Sequence, residues 1–380
     1  MRKNMPTRKK RKRKHWFIDG LLRLISLIIA IGLIISCLAQ FIPPDKFWPP
    51  AFFGLSFPFW FLTNLFFLFF WIIRRARFAW IHVACLILSL PLFSHFVQLK
   101  GSKNSDNLPA SISLLSYNIK GLAGPNSTTS SGLSDSLFNF INNENASIVC
   151  LQEYTERQNK NKPTVQTIFS TMPLKYTSKS PYYENNNSHY YIATLSQYPI
   201  CNTIEIRKDK RLIALITDIV AEKDTFRIFN VHLQSISFND ENYKFLAEAQ
   251  QNISSLQSDS MQKDSKKVFW KIRTGFVKRA SQARILHKAI QQSPYPMIVC
   301  GDFNDTPASY AYHTIKNDLT DAFMEKGKGI GNTYFGNLPK IRIDYVLLHP
   351  KFKCQEFEII EETFSDHHPV KAMFYKKKYD

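Results

Sequence analysis

Cysteine is sparse and scattered in this 380-residue chain. Its six residues, Cys37, Cys85, Cys150, Cys201, Cys300 and Cys354, include no CxxC pair. That spacing supports neither a cysteine-held zinc site nor a disulfide framework. Cys150 and Cys300 stand in apolar, strand-like runs, where an unpaired thiol behaves as a small core side chain. Acidic residues are the second shortage, and it is local. Residues 1–100 hold 15 lysines and arginines against 2 acids, whereas the remainder holds 34 against 28. Of the net charge of +19, +13 therefore belongs to the N-terminal quarter, and the rest of the chain is only mildly basic. A strong polyanion footprint on the larger part is not indicated.

Long hydrophobic runs are confined to one end. Residues 21–97 are overwhelmingly apolar and rich in phenylalanine, while 101–380 has the composition of an ordinary globular domain. Three stretches, Leu21 to Ile42, Ala51 to Ile73 and Phe78 to Val97, reach the ~20 helical residues that span bilayer hydrocarbon. Pro43, Pro44, Asp45 and Lys46 separate the first two; Arg74, Arg75 and Arg77 separate the last two. The pattern predicts a basic cytoplasmic tail over 1–20, an all-α segment of three transmembrane helices over 21–97, and a polar linker over 98–110.

The seven consecutive basic residues from Arg8 to Lys14 are read as a topology signal in preference to a nucleic-acid arm. Keeping both that run and the arginine turn in the cytoplasm makes the helices alternate, so the chain emerges after Lys100 on the extracytoplasmic face. The expectation is a multi-pass integral protein of a bacterial inner membrane, held in the lipid bilayer through three helices. A cleaved signal peptide is the competing reading of the first stretch, and it would leave the final topology unchanged.

Beyond the linker, period-two and short apolar runs predict strands at Ser111 to Ile119, Ile148 to Tyr154, Tyr191 to Leu195, Leu212 to Val220, Thr225 to Leu233, Met297 to Phe303, Ile343 to His349 and Val370 to Tyr375. Helical candidates are Leu133 to Asn143 and Phe269 to Ile290. In the latter, Phe269, Ile272, Phe276, Ala280, Ala283, Leu286 and Ile290 recur at helical spacing and give one apolar face. Its interspersed lysines and arginines read as a solvated face, with phosphate contact as the alternative. The polar stretch from Asn239 to Lys267 reads either as a substrate-recognition insertion or as a disordered excursion. Mixed strands and helices in this order give an α+β or layered sandwich over 111–380.

Polar side chains interrupt the ends of these strands in a consistent way: Asn118 in SYNIKG, Glu153 in CLQEY, His232 in NVHLQS, Asp302 and Asn304 in GDFND, and Asp366 with His367 in SDHHP. Carboxylates and amides are ligands for a hard divalent cation, and imidazoles move protons. A phosphodiester is already anionic, so attack by hydroxide needs a cation and donors to offset the charge that builds on phosphorus oxygens. Each residue alone has a plainer reading, as a strand-end turn for Asn118 and Asn304, or as a hydrogen-bonded core imidazole for His232. The set together points to metal-assisted phosphate-ester hydrolysis.

In the order SYNIKG, LQEY, NVHLQS, GDFND, RIDYV and SDHHP, the chain from about Ser111 to Tyr375 resembles the endonuclease/exonuclease/phosphatase superfamily, the DNase I-like fold. The resemblance implies a four-layered α/β sandwich with the site at one edge of two facing sheets. It implies Glu153 as the principal metal carboxylate, with Asn118 beside it and Asp366 as an additional metal-side group, for Mg2+ or Mn2+. It implies catalytic roles for Asp302 at the attacking water, for Asn304 and His232 at the phosphate, and for His367 oriented by Asp344. The segment YIATLSQYP departs from relatives that carry a glycine before the equivalent strand, and His189, His313 and His368 receive no role. The expected substrate is a phosphodiester of nucleic acid or of a phospholipid headgroup, with VHLQS similar to sphingomyelinase-like members. A non-catalytic membrane-bound binding module is the reading of another class.

Overall fold

The computed structural model describes residues 8–99, 101, 111–122, 132–155, 173–183, 190–221, 224–236, 238–239, 241–242, 244–245, 248, 259–336 and 339–377. His189, most of the expected linker and most of the 239–267 stretch lie outside these residues.

The N-terminal part is helical: α1 (Arg8–Leu38), α2 (Pro49–Leu55), α3 (Phe57–Ile73) and α4 (Ala79–Phe93). It differs from three full-length spans. Among the described residues, the apolar stretch Trp16–Phe41 is alone long enough to cross a membrane; α2 and α3 reach that length only as a pair bent by 70°; α4 has 15 residues. The bend lies at Ser56; Pro58 in the first turn of α3 has no N–H to donate to the Gly54 carbonyl, so α2 cannot continue unbroken into α3. The basic run from Arg8 is helical and continuous with α1. Helices α1, α3 and α4 pack around a polar knot: Ser26 Oγ lies 2.5 Å from His82 Nε2, His82 Nδ1 lies 2.8 Å from Asn64 Oδ1, and Trp71 Nε1 donates to Ser26 Oγ at 2.8 Å.

A two-residue strand β1 (Val97–Gln98) leads out of the helices, followed by β2 (Ile112–Asn118), helix α5 (Gly132–Asn143), β3 (Ile148–Thr155), β4 (Tyr176–Pro181), β5 (Tyr190–Ser196), β6 (Ile200–Lys208), β7 (Arg211–Ala221) and β8 (Asp224–His232). Then come the long helix α6 (Asp259–Gln291), β9 (Met297–Asp302), α7 (Tyr310–Lys316), β10 (Thr320–Asp321), α8 (Ala322–Lys326), β11 (Gly329–Ile330), β12 (Asp344–Leu348), β13 (Phe352–Ile359) and β14 (Val370–Lys376). Helix α6 begins ten residues before the expected Phe269 and absorbs the end of the polar stretch.

Two six-stranded sheets result, ordered β13-β14-β2-β3-β5-β4 and β10-β12-β9-β8-β7-β6. Their inner faces meet in a core that includes Leu114, Ile148, Cys150, Ile228, Ile298, Cys300 and Val346. Outside the second sheet, Ala283, Leu286 and Ile290 of α6 and Tyr312 and Ile315 of α7 pack on Ile213, Phe229 and Val299. Outside the first, Leu137, Phe138 and Ile141 of α5 pack on Leu115, Tyr117 and Val149. The architecture is thus the four-layered α/β sandwich. The free thiols of Cys150 and Cys300 are wholly buried between the sheets.

The helical segment packs against the sandwich over an extended face. Asp45 holds Arg284 through two hydrogen bonds of 3.0 and 2.7 Å. Phe52 stacks on Phe269 with centroids 4.8 Å apart, and Trp48 meets the same ring edge-on at 5.3 Å. Strand β1 pairs with β11. The arginine turn lies at the far end, where Arg74 pairs with Asp19 at 2.7 Å.

Candidate active site

Strand register assembles the site. Strands β8 and β9 run parallel with His232 beside Asp302, and β12 runs antiparallel to β9 with Asp344 beside Asp302. Three functional side chains therefore end one sheet in adjacent positions. In the other sheet β2 and β3 run parallel with Asn118 beside Gln152, which leaves Glu153 one residue beyond. At Glu153 the pairing of β3 with β5 shifts register and φ becomes 52°, a bulge that turns the carboxylate out of the pleat. Gln152 Nε2 donates to Asn230 Oδ1 across the sheets at 2.7 Å, so the motif residues preceding Glu153 and His232 tie the two site-bearing edges together.

Asp302 is the hub. Its Oδ1 accepts from the Asn304 backbone at 2.7 Å, and its Oδ2 accepts from Asn304 Nδ2 at 2.9 Å and from Asn118 Nδ2 at 3.0 Å. Asn304 reaches it from a left-handed turn (φ 53°), not from the same side of an extended segment as its alternate spacing implied. The His232 ring stands 3.4 Å from Glu153 Oε1 and 3.7 Å from Asp302 Oδ2 through Nε2. His367 Nδ1 lies 2.9 Å from Asp344 Oδ2, with Nε2 3.9 Å from Asp302 Oδ2. Asp344 is itself held by Thr333, whose Oγ1 accepts from the backbone of both Ile343 and Asp344 at 3.0 Å. Asp366 pairs with Lys120 Nζ at 2.5 Å.

These residues surround one pocket of about 190 Å³, lined by Asn118, Glu153, Asp302, Asn304, Asp366 and His367 among others. His232 lies beneath it, fully buried, with Tyr182 stacked on its ring at 4.8 Å. Every expected site residue is accordingly at or under one pocket. Lys120, Tyr182, Thr333 and Arg211 belong to the same cluster and were not foreseen; of these only Lys120, two residues after Asn118 in SYNIKG, lies within a motif.

The electrostatics divide the acids and imidazoles. Burial and the neighbouring Asp344 charge push Asp302 up to about 7, against the pull of His367 and the Asn118 and Asn304 donors. Burial opposes protonation of His367, but Asp344 and Asp302 outweigh it and raise the ring to about 10. Burial, Arg211 and His367 hold His232 well below its usual range, which keeps it neutral. Burial raises Glu153.

The donor chemistry suits a hard divalent cation: four carboxylates, Glu153, Asp302, Asp344 and Asp366, and an amide converge, offset among the described residues by Lys120, Arg211 and a protonated His367. Asp302, Asp344 and His367 also bring ligand atoms within 4.8 Å of one another, although the family resemblance implies catalytic roles for all three. The Asp302 and Asp344 oxygens there accept the hydrogen bonds described above; Glu153 and Asp366 also line the pocket, Asp366 paired with Lys120 and Glu153 accepting from Asn118.

A family model described as the Endonuclease/Exonuclease/phosphatase family matches residues 115–367. The chain belongs to that family. It is accordingly an enzyme, a divalent-metal-dependent hydrolase of phosphoric esters. A second family model, of a domain of unknown function, matches residues 19–96. No curated protein matches the chain. Among solved structures, an endonuclease/exonuclease/phosphatase from Bacteroides vulgatus is similar at 18% identity and a TM-score of 0.49, covering 71% of this chain and 100% of that one. D. rerio TDP2 complexed with a single-strand DNA product is similar at 16% and 0.48, covering 70% and 100%. The human Nocturnin catalytic domain with bound sulfate is similar at 16% and 0.48, covering 70% and 95%.

Proposed function

We propose that this family member is a membrane-anchored phosphodiesterase that hydrolyses a P–O bond by attack of water, with magnesium or manganese held by Glu153, Asp366 and Asn118. The observation that carries the reading is the convergence of Asn118, Glu153, Asp302, Asn304 and His367 on one pocket, with His232 beneath it. When bound there, such a cation would supply Lewis-acid neutralisation of the phosphoryl oxygens, with Glu153, Asp366 and Asn118 as its ligands. Asp302, fixed on both oxygens by amide donors and raised toward neutrality, accepts a proton from the attacking water. Asn304 and the neutral His232 orient the phosphate oxygens, and His367, kept protonated by Asp344, stabilises added charge.

Turnover of bis(p-nitrophenyl) phosphate by the full chain in detergent micelles tests this. Chelation abolishes it, magnesium or manganese restores it, and Asp302→Ala lowers kcat by about 10²–10⁴, the range of a lost general base. Metal-independent turnover, or equal rates for wild type and Asp302→Ala, rejects the reading.

Two substrate classes fit, nucleic acid and phospholipid headgroups. The headgroup reading has support from the fold: the chain that follows the catalytic loop runs under the anchor, where a side chain on Gly54 of α2 would come within 3.0 Å of the Ala308 carbonyl. Parallel assays on DNA, RNA, phospholipid vesicles and inositol phosphates at stated salt decide; cleavage of lipid alone removes the nuclease reading. The proposed placement is multi-pass in a bacterial inner membrane with the enzyme outside the cytoplasm. It is supported by the arginine turn and the sandwich lying at opposite ends of the helices.

A further inference from the structure

A basic cavity of about 570 Å³ lies beside the catalytic pocket. Three separate parts of the chain wall it: the tip of the β6–β7 hairpin with Lys208 and Arg211, helix α6 with Lys278 and Arg284, and Asp45 from the connection between α1 and α2. The hairpin tip is a two-residue turn with positive φ at both Asp209 (51°) and Lys210 (62°), the conformation whose twist matches paired strands, so Lys208 and Arg211 face each other as the last pair. Lys208 donates to Ser281 on α6, and Asp45 is occupied by the two bonds to Arg284.

Arg211 is the anomaly. It is only 8% exposed, its Nε has no hydrogen-bond partner, and it forms no ion pair among the described residues. Its guanidinium lies 4.2 Å from the Tyr182 ring and 5.6 Å from that of Tyr183. Stacking covers the faces of a guanidinium and leaves its buried Nε–H unpaired; the Glu153 and Asp302 charges act on it from the catalytic pocket without forming an ion pair with it. A phosphate presents paired oxygens to that fork.

The cavity is one ring away from the chemistry, because Tyr182 carries Arg211 at one contact and stacks on His232 at another. The loop after β8 divides the two spaces: Gln234 lines the basic cavity, and Ser235 and Ile236 line the catalytic pocket. We propose that this cavity binds a second, non-scissile phosphate group of the substrate, with Arg211 as its central donor and Lys208 and Lys278 at its mouth. The site rests on the phosphodiesterase reading for its purpose and on its own geometry for its existence.

Two measurements test it on the full chain in detergent micelles. The first needs no turnover: with EDTA present, inorganic phosphate is titrated by calorimetry. Binding is expected, weakened about tenfold or more by Arg211→Gln or Lys278→Glu, as for loss of a charge-assisted hydrogen bond, and retained in Glu153→Gln. Absence of binding, or binding lost in Glu153→Gln and indifferent to Lys278, overturns the site. If Arg211→Gln fails to fold, Lys278→Glu, on the exposed face of α6, decides alone.

The second measurement compares kcat/KM within matched substrate pairs: a single-stranded oligonucleotide with or without a 5′-phosphate, and phosphatidylinositol with or without one ring phosphate. A preference of about tenfold for the extra phosphate in either pair, reduced toward one by Lys278→Glu, supports the site and names its source. Equal rates within every pair that is hydrolysed overturn it. Phosphate binding with no hydrolysis of any substrate leaves the site standing and refutes the phosphodiesterase reading instead.

Discussion

Gly301 shows how tightly one position fixes the chemistry. Its φ of 127° is glycine territory, and a Cβ there would sit 2.0 Å from the Val231 carbonyl oxygen on the neighbouring strand. Gly301→Ala is expected to force β8 and β9 apart at the His232–Asp302 pair, destabilising the fold by about 2–4 kcal/mol and lowering kcat at least tenfold. Denaturant melts and turnover on the same preparation check it; a variant with wild-type stability and rate contradicts the geometry. The motif residues were legible because polar side chains at the ends of apolar runs stand out one by one. Tyr182, Thr333 and Arg211 were not, since each acts through a contact far away in sequence: a ring on His232, a hydroxyl under Asp344, a guanidinium on Tyr182. The relation of Asp302 to Asn304 was read as strand alternation and is a turn, because only coordinates reveal a positive φ at an asparagine.

Among the elements, eight strands were visible in the sequence, and the longer ones that escaped share a cause. β4, β6 and β13 are edge strands, and their partly solvated faces carry polar and charged residues such as Glu205, Arg207 and Glu356 that blur the apolar signal. In the N-terminal part the second apolar stretch is split for a different reason: hydropathy registers apolar residues but not the helix break beside Pro58.

Where α4 ends, a closed network docks it to the sandwich. Tyr312 donates to Asp321 Oδ2 at 2.6 Å, so its oxygen accepts from His95 Nδ1 at 2.9 Å; Arg342 binds Asp321 and donates to the His95 carbonyl. Burial lowers His95 to about 4. An unfolded or undocked His95 titrates near 6.5, so it takes up a proton first, and docking loses stability as pH falls from about 6.5 toward 4. Proteolysis of the 98–110 region across that range reads the effect, and His95→Gln is expected to flatten it; a pH-independent rate for wild type rules it out. Inside the helices, the Ser26–His82–Asn64 knot has every named atom paired, so His82→Ala leaves orphaned partners and is expected to cost about 1–3 kcal/mol. A drop in thermal midpoint in micelles checks it.

For the molecule as a whole, the decisive quantity is orientation. Reporter fusions after Lys14, after Arg77 and at Asp380 are expected to give cytoplasmic, cytoplasmic and extracytoplasmic signals, following the basic residues. A cytoplasmic signal at Asp380 overturns that arrangement. The family assignment begins at residue 115, yet the N-terminal helical segment contributes Asp45 to the basic cavity, Trp48 and Phe52 to the aromatic face of α6, and the His95 carbonyl to Arg342.

That clasp at Asp45 carries a practical corollary for anyone isolating the enzyme. A fragment trimmed to the family boundary would release Arg284 from Asp45, bare Phe269 and Phe276 to water, and enlarge the very recess beside the reaction centre. Such a truncated protein is expected to aggregate through the bared rings and to select its substrates differently from the intact one, so the N-terminal helices serve as a wall of the enzyme.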